Sequence, residues 1–225
     1  MSNRNVFWTL IATWIAAPTL VMFMCAGPAR AQNSSANYTF LVASGFLCDP
    51  GDSATCPAVA KSANGDSYQI SGAGTFNTQS KSVAAAGTFA LESSNGTVLE
   101  AGVWIVSELV SFDSYGIAPG TLMIGGRAFG PPQFGPKRLP MPSGPMLTGG
   151  LAVFHVRLLP VWGATKTAVL QVNCALGDVP RERSVEGIRL TLERNGTEFS
   201  EEVSGRVIFL SMRPEVSTPA RTPTQ

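Results

Sequence analysis

Three residues carry side chains suited to acid–base work at a spacing that a β-sheet could bring together. Glu108 lies in VLEAGVWIVSELVSF, and His155 and Arg157 lie in LAVFHVRLL. His155 is the single histidine, so a serine- or cysteine-based catalytic arrangement would have to use it. His155 and Arg157 are two apart and share one face of a strand. Glu108 is a carboxylate on an otherwise apolar strand face, shared with Trp104, Val106, Val110 and Phe112. Convergence of the three inside a barrel would shift their pKa values by burial beside a charge partner, giving an acid–base or anion-binding cluster. The alternative is a structural ion pair or a patch facing water.

Other chemistries find less footing. One histidine and scattered acids give no zinc spacing, and Asp49, Asp52 and Asp66 lack the alternating oxygen ligands of a calcium loop. No phosphate loop, dinucleotide fingerprint or GxSxG elbow occurs. The sequence therefore calls for no metal and no cofactor. Four Asn-x-Ser/Thr sequons begin at Asn33, Asn37, Asn95 and Asn195, and in a Ser/Thr/Asn-rich bacterial surface such matches carry little weight.

The elements that must position these residues are strands. β-branched and aromatic residues alternate with polar ones between Gly/Asn/Ser/Asp turns. Strands are expected near 38–45, 67–72, 74–78, 83–92, 97–112, 120–125, 150–159, 166–176, 186–194, 198–203 and 205–212. Asn64-Gly65, Asn95-Gly96 and Asn195-Gly196 fall between such runs, where Asn-Gly favours a type I′ hairpin. No sustained 3.6-residue period appears, so the fold is read as all-β with little helix. Gly74, Gly87 and Gly102 recur before Thr-Phe or Val-Trp pairs. Glycine inside strands points to bulges, bends or close backbone approach. An antiparallel meander forming a barrel or strongly coiled sandwich follows.

Both faces of VLEAGVWIVSELVSF and LAVFHVRLL are largely apolar, which calls for an oligomer interface or a covering loop on the second face. The Pro/Gly-rich insertion at 115–150 is the expected cover. Its Phe129 and Phe134, with Trp104, are the candidate contacts for an apolar ligand.

At the N-terminus, Arg4 precedes the apolar run VFWTLIATWIAAPTLVMFMCAG and then Ala29-Arg30-Ala31. This reads as a secretory signal cut after Ala31. Residues 32–213 are read as one all-β domain and 214–225 as a disordered tail. Residues 1–31 carry two arginines and no acid, so the mature chain is close to neutral. It offers no electrostatic footprint for nucleic acid, and no membrane association is expected once the signal is removed. In a secreted or periplasmic setting Cys48 and Cys56 are expected to pair across CDPGDSATC, leaving Cys174 as a buried, inert thiol.

FLCDPGDSATCPAVAKSANGDSYQISGAGTF, residues 46–76, resembles the opening of a family of secreted bacterial proteins to which no activity is attached. The second GTF, the GVW strand, the Pro/Gly loop and QVNCALG extend the resemblance over most of the mature chain. The resemblance implies export and a single domain, and no chemistry. In its Gly-x-Phe texture alone the chain is also similar to the eight-stranded barrels of dirigent proteins and allene oxide cyclases. Two functional expectations follow. One is an exported non-enzymatic β domain that binds an apolar small molecule or associates with itself as a surface component. The other is a small cofactor-free barrel enzyme, an isomerase, cyclase or hydrolase, using Glu108, His155 and Arg157.

Overall fold

The computed structural model describes residues 37–118, 122–124, 127–129 and 145–211. The expected signal segment and tail, and most of the 115–150 insertion with Phe134, lie outside them. Along the described chain run β1 (Asn37–Val42), β2 (Ala58–Ser62), β3 (Ser67–Asn77), β4 (Val83–Glu92), β5 (Val98–Ile117), β6 (Leu122–Ile124), β7 (Arg127–Phe129), β8 (Met146–Pro160), β9 (Lys166–Cys174), β10 (Gly187–Leu192), β11 (Glu198–Ser204) and β12 (Val207–Ser211). Strands β6 and β7 pair with each other; the other ten form one antiparallel sheet that closes into a barrel.

The closure is forked. β3, β4, β5 and β8 make a common wall. The first part of β3 pairs with β2, and the circuit continues through β11, β10 and β9 back to β8. The second part of β3, from Gly72 to Asn77, pairs instead with β1. β1 pairs with β12, and β12 rejoins β8 at Met146–Thr148. The two expected strands at 67–72 and 74–78 are thus one long strand serving two neighbours. The alternation reading passes over β2, whose AVAKS is alanine-rich and a weak strand former.

A fork leaves backbone groups where the two arms part, and burial demands partners for them. The disulfide-bonded loop between Cys48 and Cys56 supplies several. Gly205 and Arg206 donate their N–H groups to the carbonyls of Ala54 and Thr55, at 2.8 and 3.0 Å. Ala43 N–H donates to the Arg206 carbonyl at 2.7 Å. At the start of β12 the Val207 N–H has a carboxylate as acceptor, Glu186 Oε1, at 2.8 Å. Burial pushes the Glu186 carboxyl above its ordinary range, against the Val207 bond and the Arg206 charge, which lower it.

The barrel interior is solid. Phe40 stacks on Phe154 at 5.1 Å, and Tyr38 stacks on Phe76 at 5.2 Å. Phe209 meets Phe76 and Phe112 edge-on. Towards the other end Tyr68 meets Phe199 edge-on at 4.7 Å. Aliphatic residues of β8, β9 and β10 fill the remaining space.

Of the recurrent glycines, Gly74 and Gly102 are crowded by Ala85 and by the Leu159 carbonyl, 2.1 and 2.2 Å from where a Cβ would stand, whereas Gly87 and its cross-strand neighbour Gly72 make room for one side chain. Gly72, Gly87 and Trp104 are successive rungs across β3, β4 and β5. The fully buried indole lies against both glycines and its Nε1–H donates to the Ser71 carbonyl at 3.1 Å. A Cβ on Gly72 would stand 2.4 Å from Trp104 Cζ2, and one on Gly87 would stand 1.9 Å from the Ser71 oxygen. Close approach, not a bulge, requires these glycines: the β3–β4 register is unbroken there.

The Asn-Gly hairpins form with different turns from those expected. Positive φ occurs at Gly65, Gly96 and Gly196 but not at the preceding asparagines, which rules out type I′. At the first two, a Ser carbonyl accepts from the glycine N–H, giving a three-residue loop closed by a left-handed glycine. The third spans one residue more, with Gly196 N–H donating to the Leu192 carbonyl. In all three, the Asn side chain accepts from the N–H two residues on, at Asp66, Thr97 and Thr197.

Two predictions follow from the wall and the fork. Gly87→Ala is expected to destabilise by about 2–3 kcal/mol or more, as overpacking against fixed backbone does, measured by urea unfolding. A change below about 0.5 kcal/mol, the level of an ordinary surface substitution, would contradict the close approach. For Glu186, the raised folded pKa makes its stabilising contribution complete below the ordinary value of 4.5 and progressively lost as pH rises through the folded value. Glu186→Gln keeps an acceptor for Val207 and removes the titration. The variant is expected to gain stability relative to the parent between pH 4.5 and 7, and parallel pH–stability curves would refute this.

Candidate functional site

The sheet does bring the three sequence-nominated residues together, but on its outer wall. His155 on β8 is in direct register with Glu108 on β5, a spacing that puts Cβ atoms about 5 Å apart. Arg157 is the next outward residue on β8 and lies between Ile105 and Thr167. The inward positions of the same strand, Ala152, Phe154, Val156 and Leu158, are buried in the core. The expected face of β5 needs correction. Register shifts between Val106 and Glu108, between Leu109 and Ser111 and between Ser114 and Gly116 break strict alternation. Trp104 and Leu109 are buried, while Glu108 and Val110 face solvent. Each bulge re-aims the side chains beyond it.

His155 has a partner the sequence did not offer. Its Nδ1 lies 2.6 Å from Glu193 Oε1, both side chains being roughly two-fifths exposed. Hydrogen bonds from Thr167 and His155 hold the Glu193 carboxyl below its ordinary range. A carboxylate-oriented imidazole is one component of a catalytic array. The nearby Ser107 hydroxyl, however, donates to the His155 carbonyl at 3.1 Å, away from the ring. Glu108 and Arg157 form no ion pair among the described residues.

Of the candidate ligand contacts, Trp104 is fully buried in the wall and hydrogen-bonded, so it is structural. Phe129 ends β7, and Phe134 lies outside the described residues. Cys48 and Cys56 are disulfide-bonded as expected. Among the described residues no group of three metal-ligating side chains converges.

Part of the outer wall is covered by a segment other than the expected 115–150 insertion, most of which lies outside the described residues. Residues 177–186, between β9 and β10, strap the β5–β8–β9 wall. Asn173 gives its amide N–H groups to the carbonyls of Arg183 and Val185, at 2.8 and 2.5 Å, and accepts from the Tyr115 hydroxyl at 2.9 Å. Asp178 N–H donates to the Tyr115 carbonyl, and Arg183 pairs with Asp113 at 2.5 Å. Only an asparagine at an outward position of β9, in QVNCALG, hinted at this in the sequence.

Two surface grooves accompany these features. One, of about 260 Å³, runs between the strap and the β8–β11 wall; the other, of about 370 Å³, opens beside Tyr38, Thr75, Phe76 and Val83. Neither is lined by Glu108, His155 or Arg157.

Cys174 is fully buried at the end of β9, and burial pushes its thiol far up. The native protein is expected to leave Cys174 unreacted with an aromatic disulfide reagent at pH 8, with one thiol per chain from that position appearing on unfolding. Rapid reaction of the native thiol would show that this part of the core opens. Comparison with known proteins finds no matching family model, no matching curated protein and no matching solved structure.

Proposed function

We propose that the protein is an exported, non-enzymatic β-barrel that associates with copies of itself through its outer wall. The observation that carries this reading is an exposed apolar strip at one end of that wall. Val98, Leu99 and Val103 of β5 face water beside Val161 and Trp162, the last two each 70% exposed. Val103 is in register with Leu159, and Val161 N–H donates to the Ala101 carbonyl, so the strip is continuous across two strands. A contiguous apolar patch of this kind marks an interaction surface.

Three further features favour a second copy as the occupant. The ten-stranded sheet closes through β8–β9 and β1–β3, so among its described strands it offers no free edge for association by strand addition. Without Arg4 and Arg30 of the expected signal, 14 basic residues face 15 acidic ones, a balance close enough to neutral for like chains to approach without repulsion. On the same wall Glu108 and Arg157 are exposed, opposite in sign and unpaired among the described residues. A two-fold contact would set each against the other of the partner. Export accords with the Cys48–Cys56 bond, since disulfides persist in oxidising compartments. Among the described residues no helix is long and apolar enough to cross a membrane. The small-molecule version of the reading loses support because the interior is packed with aromatic rings rather than hollow.

Sedimentation velocity of the isolated protein tests the proposal. An oligomer is expected that Trp162→Lys dissociates. Glu108→Arg and Arg157→Glu are each expected to weaken it by about tenfold, with the double exchange restoring it, as a paired contact worth about 1.4 kcal/mol requires. A monomer at all concentrations would sink the proposal, as would an oligomer indifferent to Trp162→Lys.

A further inference from the structure

The groove between the strap and the β8–β11 wall lies on a different sector from the apolar strip and carries a different chemistry. Its volume of about 260 Å³ is below the roughly 300–1,000 Å³ of drug-sized pockets. Leu151, Gln171, Glu182, Arg183, Arg189 and Glu202 line it. The strap side is held in place by Asn173, so the groove keeps its shape without a ligand.

The charges are unevenly satisfied. Arg189 gives Nε and one Nη to Glu202, at 2.6 and 3.3 Å. Arg183 gives Nη1 to Asp113. A guanidinium has five N–H donors, so both arginines keep donors to spare. The Glu182 carboxylate and the Gln171 amide have no side-chain hydrogen bond among the described residues. A lone anion in this space would meet Glu182 and Glu202, and a lone cation would meet the two guanidiniums. A ligand with both charges a few ångströms apart is complementary to the whole lining.

From this we infer that the groove binds a small zwitterion of amino-acid size. Its carboxylate is held by the spare donors of Arg183 and Arg189, its ammonium by Glu182, and its short apolar body lies on Leu151. Gln171, which both donates and accepts, fixes the orientation. Charge-assisted hydrogen bonds of this type are the stronger ones available to a shallow site.

Amide and guanidinium NMR of the full chain tests the inference with defined probes: L-valine and L-serine, and two controls that keep valine's skeleton but one charge each, isovalerate and isobutylamine. A saturable shift of the Gln171 side-chain amide and the Arg183 Nε–H is expected with at least one amino acid. Either control, and Glu182→Gln with that amino acid, is expected to bind about tenfold more weakly, the loss of one hydrogen bond to a charged group. Unchanged signals elsewhere in the Glu182→Gln spectrum report that the variant is folded. No saturable shift with either amino acid overturns the inference. Isovalerate binding as tightly as valine also overturns it, reducing the groove to a plain anion site, as does an unaltered affinity in Glu182→Gln.

Discussion

Everything in this fold hangs on two long strands that each serve two neighbours along one edge. β3 hands over from β2 to β1 at Gly72, and β8 hands over from β12 to β9 after Thr148. At each handover, backbone groups would be left in the interior without sheet partners, at a cost of about 1–3 kcal/mol apiece. The disulfide loop, Glu186 and the β12 entry segment fill that role with named hydrogen bonds. The loop is therefore part of the wall, and the bridge between Cys48 and Cys56 pins the piece that closes the fork.

With the wall closed in this way, the interior is filled by aromatic rings at its centre and aliphatic side chains around them. Six aromatic side chains meet around Phe76 and Phe209, counting Tyr38, Phe40, Phe112 and Phe154. One polar atom is stranded by this packing: the Tyr68 hydroxyl has no hydrogen-bond partner among the described residues, and burial with the nearby Glu100 charge holds it firmly protonated. The two surfaces proposed for recognition both lie on the outside of the barrel. The outer surface is divided accordingly, with an apolar strip on the β5–β8 end and a charged groove under the strap.

Much of the architecture could be read from the chain because it rests on local patterning. Alternation in LAVFHVRLL assigns its buried face correctly from Ala152 to Leu158. The spacing of Cys48 and Cys56 finds the bridge, and the three Asn-Gly pairs locate three turns. The failures share a cause, which is that they depend on partners distant in sequence. In β5, alternation cannot foresee a bulge imposed by pairing with β8, so Glu108 and Leu109 are assigned to the wrong faces. Gly87 is explained by Trp104 and by the carbonyl of Ser71, neither adjacent to it. The His155–Glu193 contact joins residues 38 apart. Tight turns of the wrong type at Asn64-Gly65 and Asn95-Gly96 reflect a different limit, since asparagine can serve a turn by its side chain as well as by its φ.

The pairing of the first strand with the last gives the molecule a direction. Tyr38 is opposite Ser211, so the chain enters and leaves the barrel at neighbouring points on one rim. The β5 end at Ile117 and the β8 start at Met146 sit on that rim as well, through Thr148 and its pairing with Phe209. The turns at Asn64-Gly65 and Asn95-Gly96, linked by the Ser94–Asp66 hydrogen bond, belong to the far rim, together with Val161 and Trp162. A partner meeting the apolar rim therefore approaches the barrel from the end opposite the points where β1 begins and β12 ends.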